Sequence, residues 1–116
     1  MQIREISLKE LTVVYENIKE LYPYITYKEF EDLIYDMRYM DYKMFGIFEK
    51  EDLITFSGVC IHTTLKDRRH LVVYEFITSN QYDKIKYNAI MKEYLEDFAK
   101  VAMCESVKYT GEKVEN

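Results

Sequence analysis

Two runs decide the reading of this chain. The first is Leu53-Ile54-Thr55-Phe56-Ser57-Gly58-Val59-Cys60-Ile61 and the second is Leu71-Val72-Val73-Tyr74-Glu75-Phe76-Ile77-Thr78. Both are rich in β-branched and aromatic side chains, which suit a pleated, half-buried surface, so both are predicted to be strands. The second is apolar enough to be covered on both faces. Gly58, inside the first, signals a bulge or a close backbone approach. Lys66-Asp67-Arg68-Arg69 is the exposed turn between them. One step upstream, Tyr42-Lys43-Met44-Phe45-Gly46-Ile47-Phe48 alternates like a strand and ends in the charged turn Glu49-Lys50-Glu51-Asp52. Residues 42–78 therefore predict an antiparallel three-stranded meander.

The flanks read as helices. Leu8, Leu11, Val14, Ile18 and Leu21 recur at helical spacing. Ser7, with Glu10 three residues on, forms a capping box, and Pro23 ends that helix. Thr26 and Glu29 repeat the box before a second helix over residues 27–40, whose apolar face is Phe30, Leu33, Ile34 and Met37. Ile3 and Ile6 suggest a short first strand. After a polar connection over residues 79–86, Tyr87, Ile90, Met91, Tyr94, Leu95, Phe98 and Ala102 mark a third helix, and residues 106–110 a final strand. The order is β-α-α-β-β-β-α-β, with the last βαβ step parallel.

Composition narrows the function. A chain of 116 residues is one domain, 1–116. A hydrophobic share of 48%, with 12 Tyr and 6 Phe, excludes intrinsic disorder. No apolar run approaches the ~18 residues of a membrane span, and Met1-Gln2-Ile3-Arg4-Glu5 lacks a leader pattern, so a cytoplasmic protein away from membranes is expected. The net charge of −5 argues against nucleic acid, which is held by clustered cations. Cys60 and Cys104 lack the spacing of a metal site or disulfide framework and are expected as free, buried thiols; no metal is expected. There is no Gly-x-Ser-x-Gly, Walker loop or HExxH pattern.

The element order, with Tyr27-Lys28-Glu29-Phe30-Glu31-Asp32-Leu33, Tyr42-Lys43-Met44-Phe45-Gly46, the strand glycine Gly58 and above all Arg69-His70-Leu71-Val72-Val73-Tyr74-Glu75-Phe76-Ile77-Thr78, resembles the GCN5-related N-acetyltransferase (GNAT) family from about Leu8 to Gly111. The resemblance implies an α/β (α+β) fold, a mixed sheet flanked by helices. It also implies an acetyl-CoA-dependent transfer of an acetyl group to an amine, small-molecule or peptide. In the family the fourth strand pairs its backbone with the pantetheine arm beside a bulge, which places Phe76, Ile77 and Thr78 at the cofactor. A Gln/Arg-x-x-Gly-x-Gly/Ala loop at the third helix then holds the diphosphate.

This chain departs from that loop. One register puts Asp83 at the Arg/Gln position, Lys86 at the first glycine and Asn88 at the second; starting at Gln81 puts Lys84 and Lys86 at the glycines. Neither register contains glycine. Lys84, Lys86, Tyr87 and Asn88 are the residues that would meet the diphosphate, with lysine charge in place of glycine approach. Family members also continue into a fourth helix and two strands, often with a tyrosine acid. Here the chain reaches Asn116 soon after the fifth strand, so the resemblance implies a form truncated at the C-terminus, with no residue matching that tyrosine. An edge left open in that way predicts a homodimer, unless the tail Glu112-Lys113-Val114-Glu115-Asn116 guards it.

Glu75 lies where some family members keep a general base, helped by a pKa raised through partial burial. The competing reading is a strand carboxylate paired with Arg68, Arg69 or a lysine. His62 and His70 are read as strand histidines rather than ligands, and the tyrosines from Tyr22 to Tyr42 as packing rather than a cleft lining. The alternative to an enzyme is a non-catalytic module of the same fold that has lost acetyl-CoA and acts through a protein partner.

Overall fold

A computed structural model describes residues 1–110. The guarding role suggested for the tail falls on residues outside that range. The strands are β1 (Gln2–Ile6), β2 (Lys43–Glu49), β3 (Asp52–Thr64), β4 (Arg68–Thr78) and β5 (Ser106–Tyr109), and the helices are α1 (Leu11–Leu21), α2 (Tyr27–Met37) and α3 (Lys84–Val101). The strands lie side by side in chain order in one sheet, antiparallel from β1 to β4, with β5 parallel to β4. The meander, the helix pair before it and the parallel last step all match the sequence reading.

Both capping boxes form. Ser7 starts a 3-10 turn, Leu8–Glu10, that runs into α1; Thr26 accepts from the Glu29 amide at 3.1 Å, and Glu29 bonds back to the Thr26 amide. The second helix is shorter than its periodicity suggests, giving way to a 3-10 turn over Arg38–Met40 that closes with Asp41 at φ 57°. The third helix starts earlier than expected, at Lys84. Its first turn carries Ile85 exposed and no apolar face, so only its cap, Asp83, marks the start.

Two cores sandwich the sheet. Ile6, Leu11, Val14, Ile18, Phe30, Ile34, Met44 and Phe56 join α1 and α2 to one face. Phe45, Ile47, Leu71, Val73, Phe76, Met91 and Leu95 join α3 to the other. Each fully buried side chain of this size contributes roughly 1.5–3 kcal/mol. β4 is covered on both faces, as its composition requires: His70, Leu71, Val72 and Val73 are all buried. Cys60 is buried and Cys104 half-buried, and both are free thiols.

At the other end of the sheet, Arg4 grips Glu10 through two bonds of 3.0 and 2.7 Å, and this holds the Glu10 carboxyl down at about 2. A carboxyl with a lowered native pKa stabilises the fold above its ordinary value near 4.5, and that stability is lost as pH falls from 4.5 toward 2. Glu10→Gln keeps the capping box but loses the ion pair. Denaturant unfolding should show it weaker by about 1 kcal/mol at pH 7, after allowing for solvent screening, and equal to wild type near pH 2.

Candidate functional site

The site grows from one irregularity. Along β3 and β4, Gly58 opposes Glu75 and Val59 opposes Val73, which leaves Tyr74 as an extra residue in β4. Such a bulge bends the strand and changes which way its groups point. β5 pairs with β4 only over His70–Val73, ending as the Thr110 amide donates to the Val73 carbonyl at 3.1 Å. Beyond Tyr74 the two strands part. The Ser79 amide donates to Ile54 on β3 at 2.8 Å, so by strand alternation the backbone groups of Phe76 and Thr78 face away from β3, into the opening beside β5.

Directly behind the bulge, on the α1–α2 face, stands Glu75. Its Oε1 accepts a hydrogen bond from the Tyr42 hydroxyl, the residue leading into β2. Among the described residues its side-chain partner is this hydroxyl, not Arg68, Arg69 or a lysine; the ion-pair reading is therefore replaced. Burial pushes the Glu75 pKa up, opposed by the Tyr42 bond, and the same surroundings raise Tyr42 well above its ordinary value. Gly58 makes the pairing possible: a Cβ there would overlap the Tyr42 ring and hydroxyl and the Glu75 carboxyl. The close approach expected at Gly58 is thus made by side chains, and the bulge is present as well.

Above the pair, a cleft of about 340 Å³ opens between α1, α2 and the sheet. Ile18, Tyr22, Phe30, Leu33, Ile34 and Met37 wall it, Ile25 closes the α1–α2 connection, and Tyr42 and Glu75 supply the polar floor. Tyr22 and Tyr42, read from sequence as packing, thus line a cleft. Leu33 marks the cleft mouth: it is an apolar α2 position that the core does not bury, 50% exposed. Cys60 lies close by, and burial, Glu75 and Asp41 push its thiol up to about 11. At neutral pH it is a protonated thiol and no nucleophile.

The remaining predicted residues separate into two groups. Thr78 is buried and donates to the Asn88 side chain at 2.6 Å; since a hydroxyl has a single proton, Thr55 then donates to Thr78 across 2.8 Å. That chain ties the first turns of α3 to the open end of β4. Tyr87 turns into the core, where it packs edge-on against Tyr82 and donates to Glu49 at 3.2 Å. Phe76 is buried on the α3 face, and Ile77 is half-buried against the α1–α2 core. Lys84 and Lys86 are exposed on the first turn of α3, with the Lys86 ammonium 5.0 Å from the Tyr87 ring centre. His62 bonds the Tyr74 hydroxyl at 2.9 Å, and His70 Nδ1 lies 2.7 Å from the Arg68 carbonyl. Both histidines therefore have strand partners. Among the described residues no cluster of three metal-ligating side chains occurs.

The start of α3 already holds an anion. The Asp83 carboxylate accepts from the Lys86 amide at 3.1 Å, the group that a diphosphate would engage at a helix N-terminus. That stand-in, with Lys84 and Lys86 beside it and the backbone of Phe76 and Thr78 facing the gap, fits a pantetheine diphosphate provided the Asp83 side chain rotates away. Asp83→Asn keeps a capping side chain and removes the negative charge. If a diphosphate is held here, calorimetry should show acetyl-CoA binding about three- to tenfold tighter to this variant, with melting temperature nearly unchanged.

No protein-family model matches the chain, and no curated protein matches it in sequence. Solved structures do match it. A GNAT family acetyltransferase from Staphylococcus aureus superposes with a TM-score of 0.82 at 14% identity, over 99% of this chain and 92% of that one. The ribosomal-protein-alanine N-acetyltransferase of Brucella melitensis gives 0.82 at 10% identity, over 98% and 83%. An aminoglycoside N-acetyltransferase solved in complex with CoA gives 0.81 at 11% identity, over 97% and 77%. The order of elements, the bulged β4 and these superpositions agree: the chain has the GNAT acetyltransferase fold.

Proposed function

We propose that the protein is an acetyl-CoA-dependent N-acetyltransferase that acts on an amine held in the α1–α2 cleft. The observation that carries this is the placement of Glu75: a carboxyl with a raised pKa, held by Tyr42, beside the point where β4 and β5 part. Bound along β4, acetyl-CoA would supply the acetyl group as a thioester. Phe76 and Thr78 would hold its arm by backbone groups, and Lys84 and Lys86 its diphosphate. Glu75 takes the proton from the amine, whose nitrogen forms the C–N bond as the C–S bond breaks; the thiolate takes a proton from solvent, and Glu75 returns its own there. Direct transfer suits a site whose one nearby thiol is protonated.

The test is release of free thiol from acetyl-CoA with a panel of primary amines, with the acetylated amine identified by mass. Amine-dependent release with matching product supports the reading; its absence across the panel at millimolar acetyl-CoA refutes it. One observation favours a second reading, a binding module without catalysis: the Asp83 carboxylate occupies the diphosphate's amide. In that case calorimetry would show no saturable binding of acetyl-CoA to the wild-type protein, and no amine would release thiol from it.

A further inference from the structure

The cleft over Glu75 combines apolar walls with a single carboxyl, and among the described residues its lining contains no lysine, arginine or histidine. An anion entering it would meet a carboxyl and no cation. A strongly polar ligand would leave its groups facing Ile18, Phe30, Ile34 and Met37 with nothing to bond, at a cost of the order of 1–3 kcal/mol for each buried polar group. Glu75 lines the cleft and its Oε1 accepts from the Tyr42 hydroxyl; a carboxylate has acceptor capacity beyond that one bond. Its volume lies at the small end of ligand sites, which run from about 300 to 1,000 Å³. We propose that the cleft selects a small primary amine with an aryl or branched alkyl body, the body lying between α1 and α2 and the nitrogen at Glu75. This rests on the transferase reading for what becomes of the amine, not for its binding.

Binding is measured by calorimetry with no acyl donor present, using 2-phenylethylamine, ethanolamine and 3-phenylpropanoate. The phenyl amine should bind at least tenfold more tightly than either the small polar amine or the anion of similar shape. Glu75→Gln should remove that margin over 3-phenylpropanoate. Leu33→Asn, at the half-exposed cleft mouth, should weaken the phenyl amine severalfold and leave ethanolamine unchanged. Equal affinities, or tighter binding of ethanolamine or the anion, overturn the inference. The same ligands with acetyl-CoA separate it from the transferase reading. Acetylation of spermidine without binding or acetylation of phenylethylamine would sink this inference alone; tight phenylethylamine binding without any acetyl transfer would sink the transferase alone.

Discussion

Glu75→Gln should lower kcat/KM for amine acetylation by about 100-fold or more, the usual scale for loss of a general base. Glutamine keeps an oxygen for the Tyr42 hydroxyl, so packing in the cleft survives while proton acceptance does not. Stability should move the other way. Burial raises the native pKa of Glu75, so its ionisation favours the unfolded chain. That penalty is absent below the unfolded value near 4.5 and grows as pH rises through the native one. The variant should therefore melt at the same temperature as wild type at pH 4 and higher at pH 8. Wild-type kcat/KM should rise with pH through the raised Glu75 pKa, and that limb should vanish in the variant. Three titratable neighbours of Glu75, namely Tyr42 ahead of β2, Cys60 on β3 and Tyr74 on β4, have raised pKa values of their own and stay neutral at these pH values. A lower melting temperature at pH 8, or an unchanged pH profile, would make Glu75 a structural residue.

Gly58→Ala carries the second large effect. The added methyl would overlap the Tyr42 ring and hydroxyl and the Glu75 carboxyl, and β3 is buried there with little room to yield. Overpacking of this kind costs roughly 1–3 kcal/mol. Displacing Tyr42 also uncouples Glu75, so activity should fall along with stability. Pairing the change with Tyr42→Ala separates the two: the ring that the methyl strikes is then gone. The double variant should be more stable than the sum of the two single losses by at least about 1 kcal/mol, a coupling expected of residues in contact. Strict additivity would mean that Gly58 is needed for the bulge itself and not for the Tyr42–Glu75 pair.

The fold was legible because its signals are local. The two capping boxes, Pro23, the period change at Tyr42 and the β-branched runs each act within a few residues, and each formed as read. Gly58 was legible as an anomaly, since a strand interior has no use for a residue without a side chain unless something approaches. What approaches could not be read: Tyr42 and Glu75 are 33 residues apart, and only the antiparallel register brings them together. The cleft was hidden for a related reason. Phe30, Leu33, Ile34 and Met37 make one apolar face in sequence, and periodicity does not tell which of them the core covers and which a ligand would. The start of α3 was missed because Lys84-Ile85-Lys86 has no buried face, so the Asp83 cap was its only sign.

The opening between β4 and β5 is the proposed place of acetyl-CoA binding. Titration of the ¹⁵N-labelled protein with acetyl-CoA, followed through its amide resonances, tests this directly. The predicted result is saturable movement of the Phe76 and Thr78 amides on β4 and of the Lys86 amide as Asp83 gives way, with Val59 and Leu71 in the α3-side core unmoved. Unmoved Phe76, Thr78 and Lys86 amides at millimolar acetyl-CoA, or movement confined to other parts of the surface, would contradict it.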